Sequence, residues 1–364
     1  MAAWRSRRAR PEKLLYRAGA LAVDGRTDRA VAAYDELVDR YDADPDPRTR
    51  RVVALALFAK ALALAKADRF AEAITACEVA VARYRDTSVP ELSDRVIEAL
   101  YNRAVCLDRL GRVIEAMDGY DDAIACYRAA PREGARDDYL GALVNKAASV
   151  EDMGRPAEAL AVFEEVITDY RDDPVPKLRH NLQRAQLNTA HILAQLGRVD
   201  EALAAYQDMI TEHHDDTDGE SRSLVSDALV HRGKTLAEQG RLDEALAAYE
   251  QVIDDHGRAA FEALDDGANP ATTYDQHLHA LLYKARALAE LGRPEQALDG
   301  YQRVVSSYRS NPQPPWRELA VSALRDSSVL LSDLGRTQEA IAAYDAVDEL
   351  PSGARQWGTW SLRR

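Results

Sequence analysis

Gly240-Arg241-Leu242-Asp243-Glu244-Ala245-Leu246-Ala247-Ala248-Tyr249 is the clearest copy of a stretch that the chain carries eight times. Near-copies begin at Gly25, Asp68, Gly111, Gly154, Gly197, Gly292 and Gly335. Successive copies start 43 residues apart, except for the step from 240 to 292, which is 52. A fixed period of this length marks an array of stacked units, none of which buries its apolar faces alone.

Two helices can be read in each unit. Eleven residues before each copy stand Leu14, Leu57, Leu100, Leu143, Gln186, Leu229, Leu281 and Leu324. Seven before it stand the small residues Ala18, Ala61, Ala104, Ala147, Ala190, Gly233, Ala285 and Ser328, and four before it mostly Leu. Steps of four and three put these on one face of a first helix. The glycine that follows suits the left-handed conformation that ends a helix. A second helix opens two or three residues later with an acid, such as Glu72, Glu115 or Glu244, near the positive end of its dipole. Its stripe is Ala at five after the glycine in every copy, then Tyr34, Cys77, Tyr120, Phe163, Tyr206, Tyr249, Tyr301 and Tyr344 at nine after. These rings are expected to pack into the gap left by the small residues of the first helix, with their hydroxyls wet. Prolines such as Pro47, Pro90, Pro131 and Pro314 punctuate the joints between units.

The 364 residues are 46% hydrophobic and 30% charged with a net charge of -14, which suits a helical body that repels nucleic acid. Cys77, Cys106 and Cys126 form an odd, sparse set, expected to be free thiols in a reducing compartment, and cytoplasm is the expected location. No apolar run is long enough for a membrane span, and the arginine-bearing residues 1–10 lack the apolar segment of a signal peptide. That basic tip is expected to be a frayed lead-in. Residues 352–364, with Trp357 and Trp360, are expected to cap the last unit.

The unit resembles a tetratricopeptide repeat. That family has large-x-x-Leu-Gly-x-x-Tyr in its first helix and Ala-x-x-x-Phe in its second. The third copy gives Leu100, Arg103, Ala104 and Leu107, then Ala116 and Tyr120. The resemblance covers residues of about 11 to 350. The family's Trp is Leu here, its Gly mostly Ala and its Leu often Lys or Arg. The 43-residue period exceeds the family's usual length by about nine residues, so the first helix and its joint are expected to be longer. The resemblance implies an all-α, right-handed superhelical solenoid of eight antiparallel helix pairs in one body. Expected unit bounds are 11–46, 47–89, 90–132, 133–175, 176–218, 219–270, 271–313 and 314–351. It also implies that the first helices line a concave groove.

The resemblance places the position nine before the glycine in that groove: Tyr16, Ala59, Asn102, Asn145, Asn188, His231, Tyr283 and Asp326. A ladder of Asn102, Asn145 and Asn188 can donate to and accept from an extended backbone. A basic rail runs beside it: Arg17, Lys60, Arg103, Lys146, Arg232 and Lys284. Both features also have a structural reading, as bonds that join neighbouring units, and for the rail that reading is favoured. The varying positions Arg184, His191, Lys234, His279 and Arg286 are better candidates for partner choice, and they fall in the fifth to seventh units.

Sites for chemistry are weak. His213-His214-Asp215-Asp216 resembles a ligand set, but the spacing lacks the acids of a calcium loop, and His213 aligns with a Tyr that ends other second helices. A solvated helix end is expected there rather than zinc. There is no phosphate loop and no nucleophile motif, so neither enzyme activity nor a cofactor is expected. The nine extra residues within Gly257–Gln276 read as a surface loop. The expected function is a protein–protein interaction scaffold holding a peptide or partner protein, with no nucleic-acid or membrane partner. A self-assembling architectural protein and a ligand-sensing module are the alternatives.

Overall fold

Seven of the eight glycine positions adopt φ between 70° and 76°, and Asp68, in the one copy without Gly, is held at 57°. Only a left-handed residue lets the next N–H turn back onto the helix it leaves. The following arginine does so in every copy, as Arg112 N–H does to Leu107 O at 3.0 Å and Arg241 N–H to Leu236 O at 2.9 Å. One residue later a second helix starts, and the repeat thus becomes a series of helix hairpins.

The computed structural model describes residues 10–171, 173, 175, 178–262 and 270–351. These form two compact units, Met1–Asn181 and Leu182–Arg364. The first contains α1 (Pro11–Val23) and α2 (Thr27–Tyr41), α3 (Pro47–Lys66) and α4 (Phe70–Tyr84), and α5 (Pro90–Arg109) and α6 (Val113–Ala129). A 3-10 turn at Glu133–Ala135 then leads to α7 (Arg136–Asp152) and α8 (Pro156–Tyr170). Helix α9 (Arg179–Gln195) enters the second unit, followed by α10 (Val199–His213), α11 (Gly219–Glu238), α12 (Leu242–Glu262), α13 (Pro270–Glu290), α14 (Pro294–Ser310), α15 (Pro314–Asp333) and α16 (Thr337–Asp345). No strand occurs among the described residues. Helices α3, α5, α11 and α15 each have 20 residues, so the long period is taken up partly in the first helix of each pair. No helix among the described residues is long and apolar enough to cross a membrane.

Packing within a pair follows the two stripes. The Ala at five after the glycine is wholly buried in the first seven pairs, and the residue at nine after is at most 3% exposed in them. Burial pushes the Tyr301 hydroxyl up to about 12 and raises Tyr249 as well. These tyrosines are therefore packed whole rather than wet at the tip, because the next pair closes over the ring. Cys77 and Cys106 are buried and Cys126 is half-buried. Burial raises the Cys77 thiol to about 12 and Cys106 to about 11, so both are protonated at neutral pH and poor nucleophiles.

Two local expectations are corrected. The extra residues do not all form a loop: Gly257–Glu262 continue α12 and Pro270–Gln276 open α13, and only 263–269 lie outside the described residues. The Ala-Ala-Phe-Glu run after Arg258 carries good helix formers and no breaker. The basic tip before Arg10 and the tail after Pro351 also lie outside the described residues.

His213 is buried rather than solvated. Its ring nitrogens face Gln186 Oε1 at 2.9 Å and Asp216 Oδ2 at 3.1 Å. Gln186 Nε2 donates to Glu212 (2.9 Å), Gln183 Nε2 to Asp216 (3.0 Å), and Ser221 Oγ to Gln183 (3.1 Å). This network joins α9, α10 and α11. Gln186 stands where every other unit has Leu, so the fifth unit exchanges an apolar contact for a satisfied polar one. Gln186→Leu is expected to lower stability by about 1–2 kcal/mol, since it leaves His213 facing a methyl group in a buried site. A urea midpoint that rises for this variant contradicts the account.

Candidate functional site

The first helices carry the candidate residues, and the rail shows how they are held. Lys60 Nζ of α3 reaches Asp35 of α2 at 2.6 Å, Arg103 of α5 reaches Glu78 of α4 at 3.1 Å, and Lys284 of α13 reaches Glu250 of α12 at 2.8 Å. Lys146 of α7 pairs likewise with Asp121 of α6. Each cation sits on a first helix and each acid on the second helix of the pair before, ten residues after its glycine. At these four positions the rail joins neighbouring pairs. Such partly exposed pairs contribute at most about 1 kcal/mol each and serve mainly to fix register.

Arg232 of α11 breaks the rule. The place of its acid on α10 is taken by Gln207. Among the described residues it makes no ion pair, and its Nε is buried without a hydrogen bond. Burial pulls its guanidinium below the ordinary value, while Glu244 opposes the shift and Arg241 adds to it. Glu244 is itself engaged by Arg241, whose Nε and Nη2 both donate to it at 2.7 Å. Arg232 is thus a desolvated cation short of a counter-charge. It was readable in the sequence, but only by setting the rail against the acid column, where Gln207 is the mismatch.

The first helices of the second unit also carry ring contacts. The His191 and His231 rings meet edge-on at 5.0 Å, and His231 stacks on Tyr206 at 6.5 Å with 10° between planes. Further along the second unit, Tyr283 stacks with His279 at 5.8 Å and lies 6.1 Å from Tyr249. Arg286 sits 5.7 Å over the Tyr283 ring. Arg286 is already satisfied, donating to Asp326 and to Ser322 Oγ at 2.7 Å each. Lys234 is exposed, 4.0 Å from Glu238. Arg184 is half-buried on α9.

The Asn ladder is uneven. Asn145 Nδ2 donates to the Tyr101 hydroxyl at 3.3 Å, a bond between neighbouring pairs. Asn102 is half-buried beside Phe58, Cys77 and Arg95, and Asn188 is half-buried on α9. Asn102 and Asn145 belong to the first compact unit and Asn188 to the second. Among the described residues no group of His, Cys, Asp or Glu could hold a metal ion.

Serial helix hairpins, with a small residue on one helix and a buried ring on the other, define a helical-repeat protein. The tetratricopeptide repeat profile matches residues 20–87, 149–217, 220–260, 230–313 and 284–354, and the chain belongs to that family. A profile described as anaphase-promoting complex subunit 5 matches residues 97–174. No curated protein sequence matches significantly. Among solved structures the chain is similar to a tetratricopeptide repeat protein from Parabacteroides merdae ATCC 43184, at 14% identity and a TM-score of 0.55 over 86% of this chain and 98% of that one. It is similar to the apo form of RapI at 11% identity and a TM-score of 0.55, over 93% and 97% of the two chains. It is similar to the apo quorum sensor NprR from B. thuringiensis at 12% identity and a TM-score of 0.53, over 93% and 98%. At these identities the likeness is one of fold: helical solenoids of repeated pairs, in general a non-enzymatic protein-interaction fold.

Proposed function

We propose that the chain is a non-enzymatic adaptor that holds a peptide or partner protein against the first helices of its fifth to seventh pairs, with Arg232 anchoring an acidic group of the partner. The observation that carries this reading is the missing counter-charge at Arg232, where four other rail cations have one. A partner carboxylate supplies what Gln207 cannot, and a guanidinium fork holds it in two bonds. His191, His231 and Tyr283 provide ring surface on the same set of first helices, and Asn188 provides a carboxamide for a bound backbone. Lys234 and Arg184 belong to the rim of the same surface. Arg286, spent on Asp326, shapes the Tyr283 ring rather than binding directly. A cytoplasmic location, without nucleic-acid or membrane partners, is part of the proposal and rests on the acidic charge and the sparse cysteines.

The test is capture from the source cell's own extract, followed by measured affinity for the captured protein. Arg232→Gln is expected to weaken binding about thirtyfold, equivalent to about 2 kcal/mol, while helicity stays unchanged. Asn188→Ala is expected to weaken it less, since a neutral carboxamide bond contributes less than a charge-assisted one. Affinity that ignores both variants removes this surface from the reading.

A further inference from the structure

We propose that copies of this chain join head to tail, the first helix pair of one copy docking on the open face of the last pair of another. The inference is independent of the binding surface on the fifth to seventh pairs.

Tyr344 holds the ring position that is at most 3% exposed in the seven earlier pairs, yet it is 65% exposed. Ile341 is 51% exposed, whereas Ile74, Leu160 and Leu246 at the same position are buried. Val329 of α15 is 63% exposed. These three side chains lie on the side of a pair against which the following first helix packs within each compact unit, as α3 does on α2 and α13 on α12.

The charges name the occupant. Four internal junctions set a cation of one first helix against an acid of the second helix before it, as in Lys60 with Asp35 and Lys284 with Glu250. Two halves of this bond are left over. Asp345 on α16 is the last acid of the column, and Arg17 on α1 is the first cation of the rail. Neither makes an ion pair among the described residues, and both are exposed. The register supports the same match one turn further on. The residue twelve before the glycine position is Ala56, Ala99, Ala142, Ala185, Ala228, Ala280 or Ala323 in the other pairs, all of them buried, but it is Lys13 in the first. Thirteen after the glycine stand Val38, Val81, Ile124, Ile167, Ile210, Ile253 and Val305, but Asp348 in the last copy, with Glu349 beside it. An antiparallel approach that sets Arg17 on Asp345 sets Lys13 among Asp348 and Glu349, and Ala20 on Ile341. A basic edge thus meets an acidic, apolar one in the register that the internal junctions already use. The second recurring bridge, Arg69 to Asp28 and Arg336 to Glu295, continues as Arg26 to Gln338, whose carbonyl accepts one bond. Such a joint is heterologous, so it builds short chains, rings or fibres rather than a closed two-fold dimer.

Sedimentation of the full chain over a wide concentration range reads this out. The mass is expected to rise above one chain with concentration, and less so at high salt. Arg17→Glu and Asp345→Arg are each expected to weaken association about tenfold or more, through like-charge contact, with unchanged circular dichroism. An equimolar mixture of the two variants pairs opposite charges at every joint, and its association is expected to return to within about threefold of the unmutated chain. A single-chain mass at all concentrations overturns the proposal and leaves the open face to residues 352–364 or to another protein. Association that ignores both reversals, or a mixture that fails to recover, overturns it equally.

Discussion

Phe163→Ala is expected to cost about 4 kcal/mol of stability, and Tyr344→Ala, at the same repeat position, less than about 0.5 kcal/mol. Phe163 is wholly buried on α8, among residues such as Ala159, Leu160 and Val166. Truncation there loses the transfer free energy of the ring and leaves a cavity that the rigid helix pairs cannot collapse to fill. Tyr344 is mostly in water, so its truncation gives up little burial. A shared aromatic repeat position thus predicts similar effects, and burial predicts very unequal ones. Arrays of repeats need not unfold in one step. The measurement is therefore native-state hydrogen exchange, read separately on α7–α8 and α15–α16. Equal losses of protection in the two variants contradict this packing, and a large loss at Tyr344 in concentrated protein alone points to the head-to-tail joint.

The same contrast says how far the sequence could be read. Helix positions were legible because each is fixed locally: a left-handed glycine, an arginine N–H closing the helix end, and a fresh helix two residues after the glycine. The small-residue and ring stripes were legible for the same reason. What lay out of reach were the contacts made by the neighbouring pair. The tyrosine hydroxyls looked wet because one hairpin alone leaves them so, and the next hairpin is what buries them. His213 looked solvated because its partners lie outside its own helix: Gln186 comes from α9, and Asp216, held by Gln183 of α9, from beyond the helix end. In the candidate site, the residue types on the first helices were visible, but their state of satisfaction shows only when the rail is set against the acid column of the pair before. Arg286 and Arg232 read alike as basic residues. The first has Asp326 and Ser322, and the second has Gln207 where an acid is due.

The second large effect tests how closely the hairpins are packed. Gly119→Leu is expected to destabilise the third pair by about 3 kcal/mol, whereas Gly119→Ala stays within about 0.5 kcal/mol of the unmutated chain. Gly119 lies in α6 one residue before the Tyr120 ring, and a Cβ built there comes 3.0 Å from the Ala104 Cβ and 3.4 Å from its Cα. A methyl group needs the two helices to give by a few tenths of an ångström. Pairs with Ala76 or Ala205 at this position show that the hairpin accommodates one, and the gain in helix propensity of about 1 kcal/mol offsets the cost. The fourth pair carries a half-buried Val162 there, so the limit argued for Gly119 belongs to the spacing of the third pair and not to the repeat as a whole. A Leu side chain has no such slack in the third pair. Its nearest neighbour is the α5 residue Ala104, whose Cβ and Cα cannot rotate away as a flexible side chain would, so the helices must separate and uncover Tyr120. The lost protection should be confined to α5 and α6 and to the α4 and α7 faces that pack on α5 and α6. If the Leu variant melts with the unmutated chain, the third hairpin is looser than a 3.0 Å approach allows, and the reading of its small residues as a closely packed seam fails with it.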